Sequence, residues 1–133
     1  MPTQSADAAK PVIAVVDDDA SFLRSVGRLL ASSGYAVKLF GSAAEFLVSL
    51  PGSAPLCLVL DVHMPQMTGL ELHDRLAAQG SCVPVIFVTA YDSPETPEHA
   101  RRPGCIGLLL KPFDKRALLS AVGDALRWQP SRG

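Results

Sequence analysis

Val12-Ile13-Ala14-Val15-Val16-Asp17-Asp18-Asp19 joins an unbroken apolar run to three consecutive carboxylates. Five apolar residues without polar alternation suit a strand covered on both faces, as in a parallel sheet. A second run, Leu56-Cys57-Leu58-Val59-Leu60, also ends in an acid, Asp61. Two buried strands that each end in carboxylates can aim them at one point. Carboxylates held that close repel, so the arrangement makes sense mainly around a divalent cation. That points to phosphoryl chemistry.

Three more bursts, at 35–40, 84–88 and 105–110, bring the set to five. Tyr35-Ala36-Val37-Lys38-Leu39-Phe40 is the one that alternates slightly, which marks it as an edge strand. Between the bursts, Phe22, Val26, Leu29 and Leu30 recur at helical spacing, with Gly34 as a stop. Phe46, Leu47 and Leu50 give a shorter helix ended before Pro51-Gly52. Leu72 and Leu76 mark a third helix between Gly69 and Gly80. Leu118, Leu119, Val122 and Leu126 mark the last, with Asp114 as its N-cap. The segment 94–104 is weaker, because Pro103 would break a helix and leaves at most a turn or two. The pattern predicts a (βα)5 doubly wound α/β domain, a single unit in which ligands bind beyond the carboxyl ends of the strands.

The bulk composition agrees. A chain of 133 residues, 48% hydrophobic and 19% charged, suits one compact domain. At this size roughly 65–70% of the unfolded surface can be buried. A formal net charge of -1 gives no basic footprint for nucleic acid or an anionic membrane. The three cysteines, Cys57, Cys82 and Cys105, sit in or beside apolar runs and are expected as free buried thiols in a reducing compartment. No apolar run approaches the ~20 residues of a membrane span, and residues 1–10 lack the pattern of a signal peptide. A cytoplasmic protein is expected, with residues 1–10 a flexible tail, 11–128 the domain, and 129–133 a tail or the start of a linker.

Several chemically useful residues fall at the carboxyl ends: Asp17 and Asp18 after the first run, Asp61 after the third, Thr89 after the fourth and Lys111 after the fifth. Alone, each is usually a loop acid, a structural threonine or a surface lysine. Together they suit phosphoryl transfer, which needs chiefly positioning and charge stabilisation. Asp18 and Asp61 offer anionic oxygens to Mg²⁺, and Asp17 acts through a metal-bound water. Asp61 is the candidate nucleophile. Lys111 supplies a second cation, and the Thr89 hydroxyl and Ala90 backbone N–H can donate to phosphoryl oxygens.

With these residues in place, the chain resembles the receiver domains of two-component response regulators over residues 11–128. The motifs are Val15-Val16-Asp17-Asp18-Asp19, Leu60-Asp61-Val62-His63-Met64-Pro65-Gln66-Met67-Thr68-Gly69, Val88-Thr89-Ala90 and Lys111-Pro112-Phe113. Phe40-Gly41-Ser42-Ala43-Ala44-Glu45-Phe46-Leu47 adds the flavour of receivers attached to helix-turn-helix transcription factors. The resemblance implies a flavodoxin-like strand order 2-1-3-4-5. It implies phosphorylation of Asp61 by the phosphohistidine of a histidine kinase or histidine phosphotransfer protein. It also implies Mg²⁺ on Asp18, Asp61 and the backbone carbonyl of His63, and a cis bond before Pro112. The partners expected downstream are a protein target or an output domain, with a homodimer also open.

Two features depart from the family pattern. The switch position, an aromatic residue three before the lysine, is Leu108 here, and Arg101-Arg102-Pro103-Gly104 replaces a more regular helical sequence. Both put the usual output face in question, and Tyr91 could stand in for the missing ring. His63 and Tyr91 fall at positions that tune acyl-phosphate hydrolysis in the family. Two rivals remain in view. One is a phosphorylation-independent adapter. The other is a phosphohydrolase of the haloacid-dehalogenase kind, which needs an Asp two residues after the nucleophile, where His63 stands. The domain is expected not to be an enzyme acting on an external metabolite.

Overall fold

The computed structural model describes residues 10–50, 55–90 and 104–128. Five strands form one parallel sheet: β1 (Val12–Val16), β2 (Ala36–Phe40), β3 (Cys57–Asp61), β4 (Val85–Thr89) and β5 (Cys105–Leu110). Among the described residues the helices are α1 (Ala20–Ser32), α2 (Ala43–Ser49), α3 (Gly69–Ala78) and α4 (Lys115–Arg127). The strand order is β2-β1-β3-β4-β5. The expected order and the expected edge position of 36–40 both hold. Residues 94–103, where helical continuity was doubtful, lie outside the described residues.

The unbroken apolar runs follow from two helical layers. Successive strand residues point to opposite faces. Ala14, Val16, Leu58, Leu60, Val85 and Phe87 therefore pack with Ala43 and Phe46 of α2 and with Leu72 and Leu76 of α3. Their neighbours Ile13, Val15, Cys57, Val59, Ile86 and Val88 pack on the other face with Leu23, Val26 and Leu30 of α1 and with Leu118, Val122 and Ala125 of α4. Each such aliphatic side chain contributes about 1.5–3 kcal/mol when fully buried. At the edge, Lys38 of β2 is exposed, a charge that discourages further strand pairing.

Two strands run one residue later than their apolar bursts suggest, ending on Asp61 and Thr89. The ladder decides this: Asp61 pairs with Val88, and the Val62 N–H donates to the Val88 carbonyl at 2.9 Å. Leu56 lies before β3 and is 56% exposed. The polar ends of β3 and β4 are thus part of the sheet, which fixes their backbones.

Side-chain caps set the helix starts. The Asp19 carboxylate accepts from the Ser21 and Phe22 N–H groups, and Ser42 accepts from Glu45. Thr68 and Glu71 form a reciprocal capping box at α3, and Asp114 accepts from Arg116. Gly34 ends α1 with φ +98, a conformation that disfavours side chains. Gly69 answers a different demand. A Cβ there would lie 2.1 Å from the Asp61 carbonyl oxygen, so α3 can start this close to β3 only without one.

Gly69→Ala should therefore lower stability by about 2–3 kcal/mol through overpacking against rigid backbone. Gly34→Ala, which meets nothing within 4 Å, should cost only its backbone strain, about 1–2 kcal/mol. Urea midpoints at constant m-value check both, and a smaller loss at Gly69 than at Gly34 would contradict the packing account.

Candidate functional site

β1, β3, β4 and β5 deliver their side chains to one end of the sheet. Asp17 follows β1 directly, is 1% exposed, and its N–H donates to the Phe40 carbonyl at 3.0 Å. Asp61 ends β3 at 6% exposure. Asp18 is exposed at the rim. Carboxylate oxygens of Asp17, Asp18 and Asp61 lie within 4.8 Å of one another. The predicted convergence of the first and third strand ends is real.

Both oxygens of Asp17 have partners. Oδ2 accepts from Lys111 Nζ at 2.8 Å, and Oδ1 accepts from the Asp19 N–H at 2.9 Å. Lys111 arrives from the far side of the sheet, 94 residues along the chain. Its backbone N–H donates to the Thr89 carbonyl at 2.8 Å, which ties the loop after β5 to the end of β4. The Lys111–Pro112 peptide bond is cis. Thr89 is fully buried at the strand end and Ala90 beside it is exposed.

The acids are electrostatically crowded. Burial pushes the Asp61 carboxyl up to about 7, and the neighbouring charges of Asp17 and Asp18 push the same way. Lys111 and the His63 backbone N–H, which donates to the Asp61 carboxylate, oppose this without cancelling it. Three carboxylates gather here against one lysine that is already paired with Asp17, so the site is short of positive charge. Its donors are all hard oxygens, which suits Mg²⁺ or another hard divalent cation rather than a soft metal.

Asp19, which was not among the expected ligands, is taken by the start of α1, where its carboxylate accepts from the Ser21 and Phe22 N–H groups. One expectation changes. Cys82 is exposed, since the apolar stretch beside it begins at Val83; Cys57 is buried, Cys105 is half-buried, and all three are free. Leu108 is half-buried and packs against the Phe87 side of the core. Tyr91, His99, Arg101 and Arg102 lie outside the described residues.

The site also holds Phe22, which helical spacing placed on an apolar helix face, beside Phe113 of the Lys111-Pro112-Phe113 motif. Lys111 Nζ stands 4.1 Å from the centroid of the Phe22 ring. That ring meets Phe113 edge to face, with centroids 6.0 Å apart. Both aromatics border a groove of about 580 Å³ that also involves Val26, Leu29 and Pro112. The available signal was an aromatic in the first turn of α1, four residues beyond Asp18, and a second one just after Lys111-Pro112.

Comparison with known proteins agrees with this geometry. Residues 13–123 match the response regulator receiver domain family. The response regulator protein TmoT of Ectopseudomonas mendocina is 38% identical over 91% of this chain and 55% of its own length. The transcriptional regulatory protein FixJ of Bradyrhizobium diazoefficiens is 38% identical over 86% of this chain and 56% of its own. The chain thus spans about half the length of these relatives. The crystal structure of a response regulator receiver protein from Burkholderia phymatum superposes with a TM-score of 0.77 at 41% identity, covering 91% of this chain and 98% of the other. The fold, the acidic cluster and the lysine opposite it, together with the family match over residues 13–123, establish that this chain belongs to the response regulator receiver domain family.

Proposed function

We propose that this domain accepts a phosphoryl group on Asp61 and uses it to bias a protein-interaction surface in two-component signalling. The observation that carries the reading is the meeting of Asp17, Asp18 and Asp61 within 4.8 Å, with Lys111 held against them at 2.8 Å from Asp17. The donor is the phosphohistidine of a histidine kinase or histidine phosphotransfer protein. An oxygen of the Asp61 carboxylate attacks phosphorus, the P–N bond to the imidazole breaks, and an acyl phosphate forms. The apolar groove beside Lys111 suits a partner that buries aliphatic surface as it presents its histidine.

Mg²⁺ would be held by Asp18, Asp61 and the His63 backbone carbonyl, with Asp17 acting through a water, and it supplies charge neutralisation for the transferred oxygens. Direct ligation by Asp17 is disfavoured by its two existing hydrogen bonds. Lys111, the Thr89 hydroxyl and the Ala90 N–H receive phosphoryl oxygens. Thr89 and its loop then carry the charge change outward, because an added dianion repels Asp17 and Asp18 and attracts Lys111. The domain comprises residues 11–128, acts in the cytoplasm, and passes its state to an output domain or separate protein target. Leu108 bears on how it does so. A core-packed leucine has no ring to relocate, so this output runs through the Thr89 loop or through a constitutive adapter surface.

Asp61→Asn should abolish labelling by acetyl phosphate in Mg²⁺ while leaving the circular dichroism spectrum unchanged. Retained labelling would place the acceptor elsewhere. Asp18→Asn should weaken Mg²⁺ binding at least tenfold in a fluorescence or calorimetric titration without unfolding the domain.

The raised pKa of Asp61 has a definite sign in stability. Below the ordinary carboxylate pKa of 3.8 both folded and unfolded states hold the proton. Between there and about 7 the folded state keeps a proton that the unfolded chain releases, so folding weakens as pH rises, and above about 7 the cost is complete. Asp61→Asn should accordingly raise the Tm of metal-free protein by several degrees at pH 8 and by nothing at pH 3.5. In the wild type, protons should compete with Mg²⁺ as pH falls below 7. A Tm gain that is independent of pH would contradict this electrostatic picture.

A further inference from the structure

Lys111 is a flexible four-carbon side chain whose ammonium can form three hydrogen bonds. Its side chain is 22% exposed, and Asp17 Oδ2 fixes one direction. A single contact leaves the head free to pivot. The second constraint comes from α1. The Phe22 ring stands 4.1 Å from Nζ, close enough for its negative face to attract the cation. Phe113, perpendicular at 86°, packs against that ring and sets its plane.

The backbone closes this arrangement into a circuit. Asp17 Oδ1 accepts from the Asp19 N–H at 2.9 Å, and Asp19 Oδ1 accepts from the Phe22 N–H at 3.2 Å. The Phe22 ring then meets Lys111 Nζ, which returns to Asp17 Oδ2 at 2.8 Å. One acid therefore orients the lysine twice: directly, and through the cap that starts α1. This also gives Asp19 a role, since it sits outside the acidic cluster.

We propose that Phe22 is a positioning residue for Lys111, an aromatic seat that holds the ammonium where a phosphoryl oxygen arrives, with Asp19 anchoring the seat. The inference rests on the phosphoacceptor reading of Asp61. The seat leaves one ammonium donor direction for the incoming oxygen and shields the lysine stem from water. Its contribution falls on the chemical step and not on metal binding, because Phe22 offers nothing to a cation held by Asp18 and Asp61.

The test compares Phe22→Leu, which keeps apolar volume, with Phe22→Tyr, which keeps the ring. Acetyl phosphate labelling in saturating Mg²⁺ should show a maximal rate about two- to thirtyfold lower for Phe22→Leu, as expected for losing a cation–π contact. Phe22→Tyr should restore most of it, and the Mg²⁺ dissociation constant should stay unchanged in both. In a Lys111→Gln background, Phe22→Leu should have no further effect on the rate. Equal rate losses in both backgrounds, or a Leu variant as fast as wild type, would overturn the proposal. An NMR readout keeps the contact testable apart from labelling. The Lys111 ε-methylene protons should be shifted upfield by the ring in wild type and should move downfield in Phe22→Leu. Absence of that shift would overturn the seat even if labelling succeeds, whereas an intact seat in a protein that never labels would instead sink the Asp61 reading.

Discussion

The Asp17–Lys111 ion pair is the contact on which the site depends. It joins the ends of β1 and β5, the strands that flank the central pair β3 and β4, and it spans 94 residues of sequence. Breaking a buried pair by removing one partner typically costs about 3–5 kcal/mol, because the remaining charge has no compensation. Here the pair does more than hold the sheet end together. It occupies one acid and leaves two others, Asp18 and Asp61, at the pocket with only partial compensation of their charge.

That division explains the unease of the pocket. Asp61 is buried, flanked by two acids and countered by one lysine that is already engaged, so its proton is held up to about 7. A protein that needed only stability would replace such a group. Under the proposed function the domain keeps it, because an arriving cation and then a phosphoryl group each relieve or redistribute that electrostatic strain. The rigid parts make this affordable. β3 is paired on both sides, and Gly69 lets α3 begin against the Asp61 carbonyl, so the proposed acceptor is fixed by backbone rather than by a loop.

Much of this was legible in the chain. The five apolar bursts, the edge character of Tyr35–Phe40 and the helix stop at Gly34 could be read because strand burial and glycine conformations depend on local residue type. The convergence of Asp17, Asp61, Thr89 and Lys111 could be read because a doubly wound sheet places all its strand ends together. What escaped depends on rotamers and long-range packing. Asp19 follows two pocket acids in the chain, and only its rotamer shows that its carboxylate serves the α1 amides. Phe22 fitted the apolar face of a helix, and nothing in periodicity says that its ring meets a lysine that arrives from the fifth strand. The one-residue offset of β3 and β4 escaped because polar Asp61 and Thr89 end the apolar pattern before the hydrogen-bond ladder stops.

The most direct test of the account is chemical mapping of the modified residue. After incubation with a phosphodonor and Mg²⁺, borohydride reduction followed by peptide mass spectrometry converts an acyl phosphate into a stable mark at its own position. The account predicts one mark, on Asp61, that disappears when the divalent cation is chelated. A mark on Asp17 or Asp18, or one that forms equally well without the cation, would contradict it.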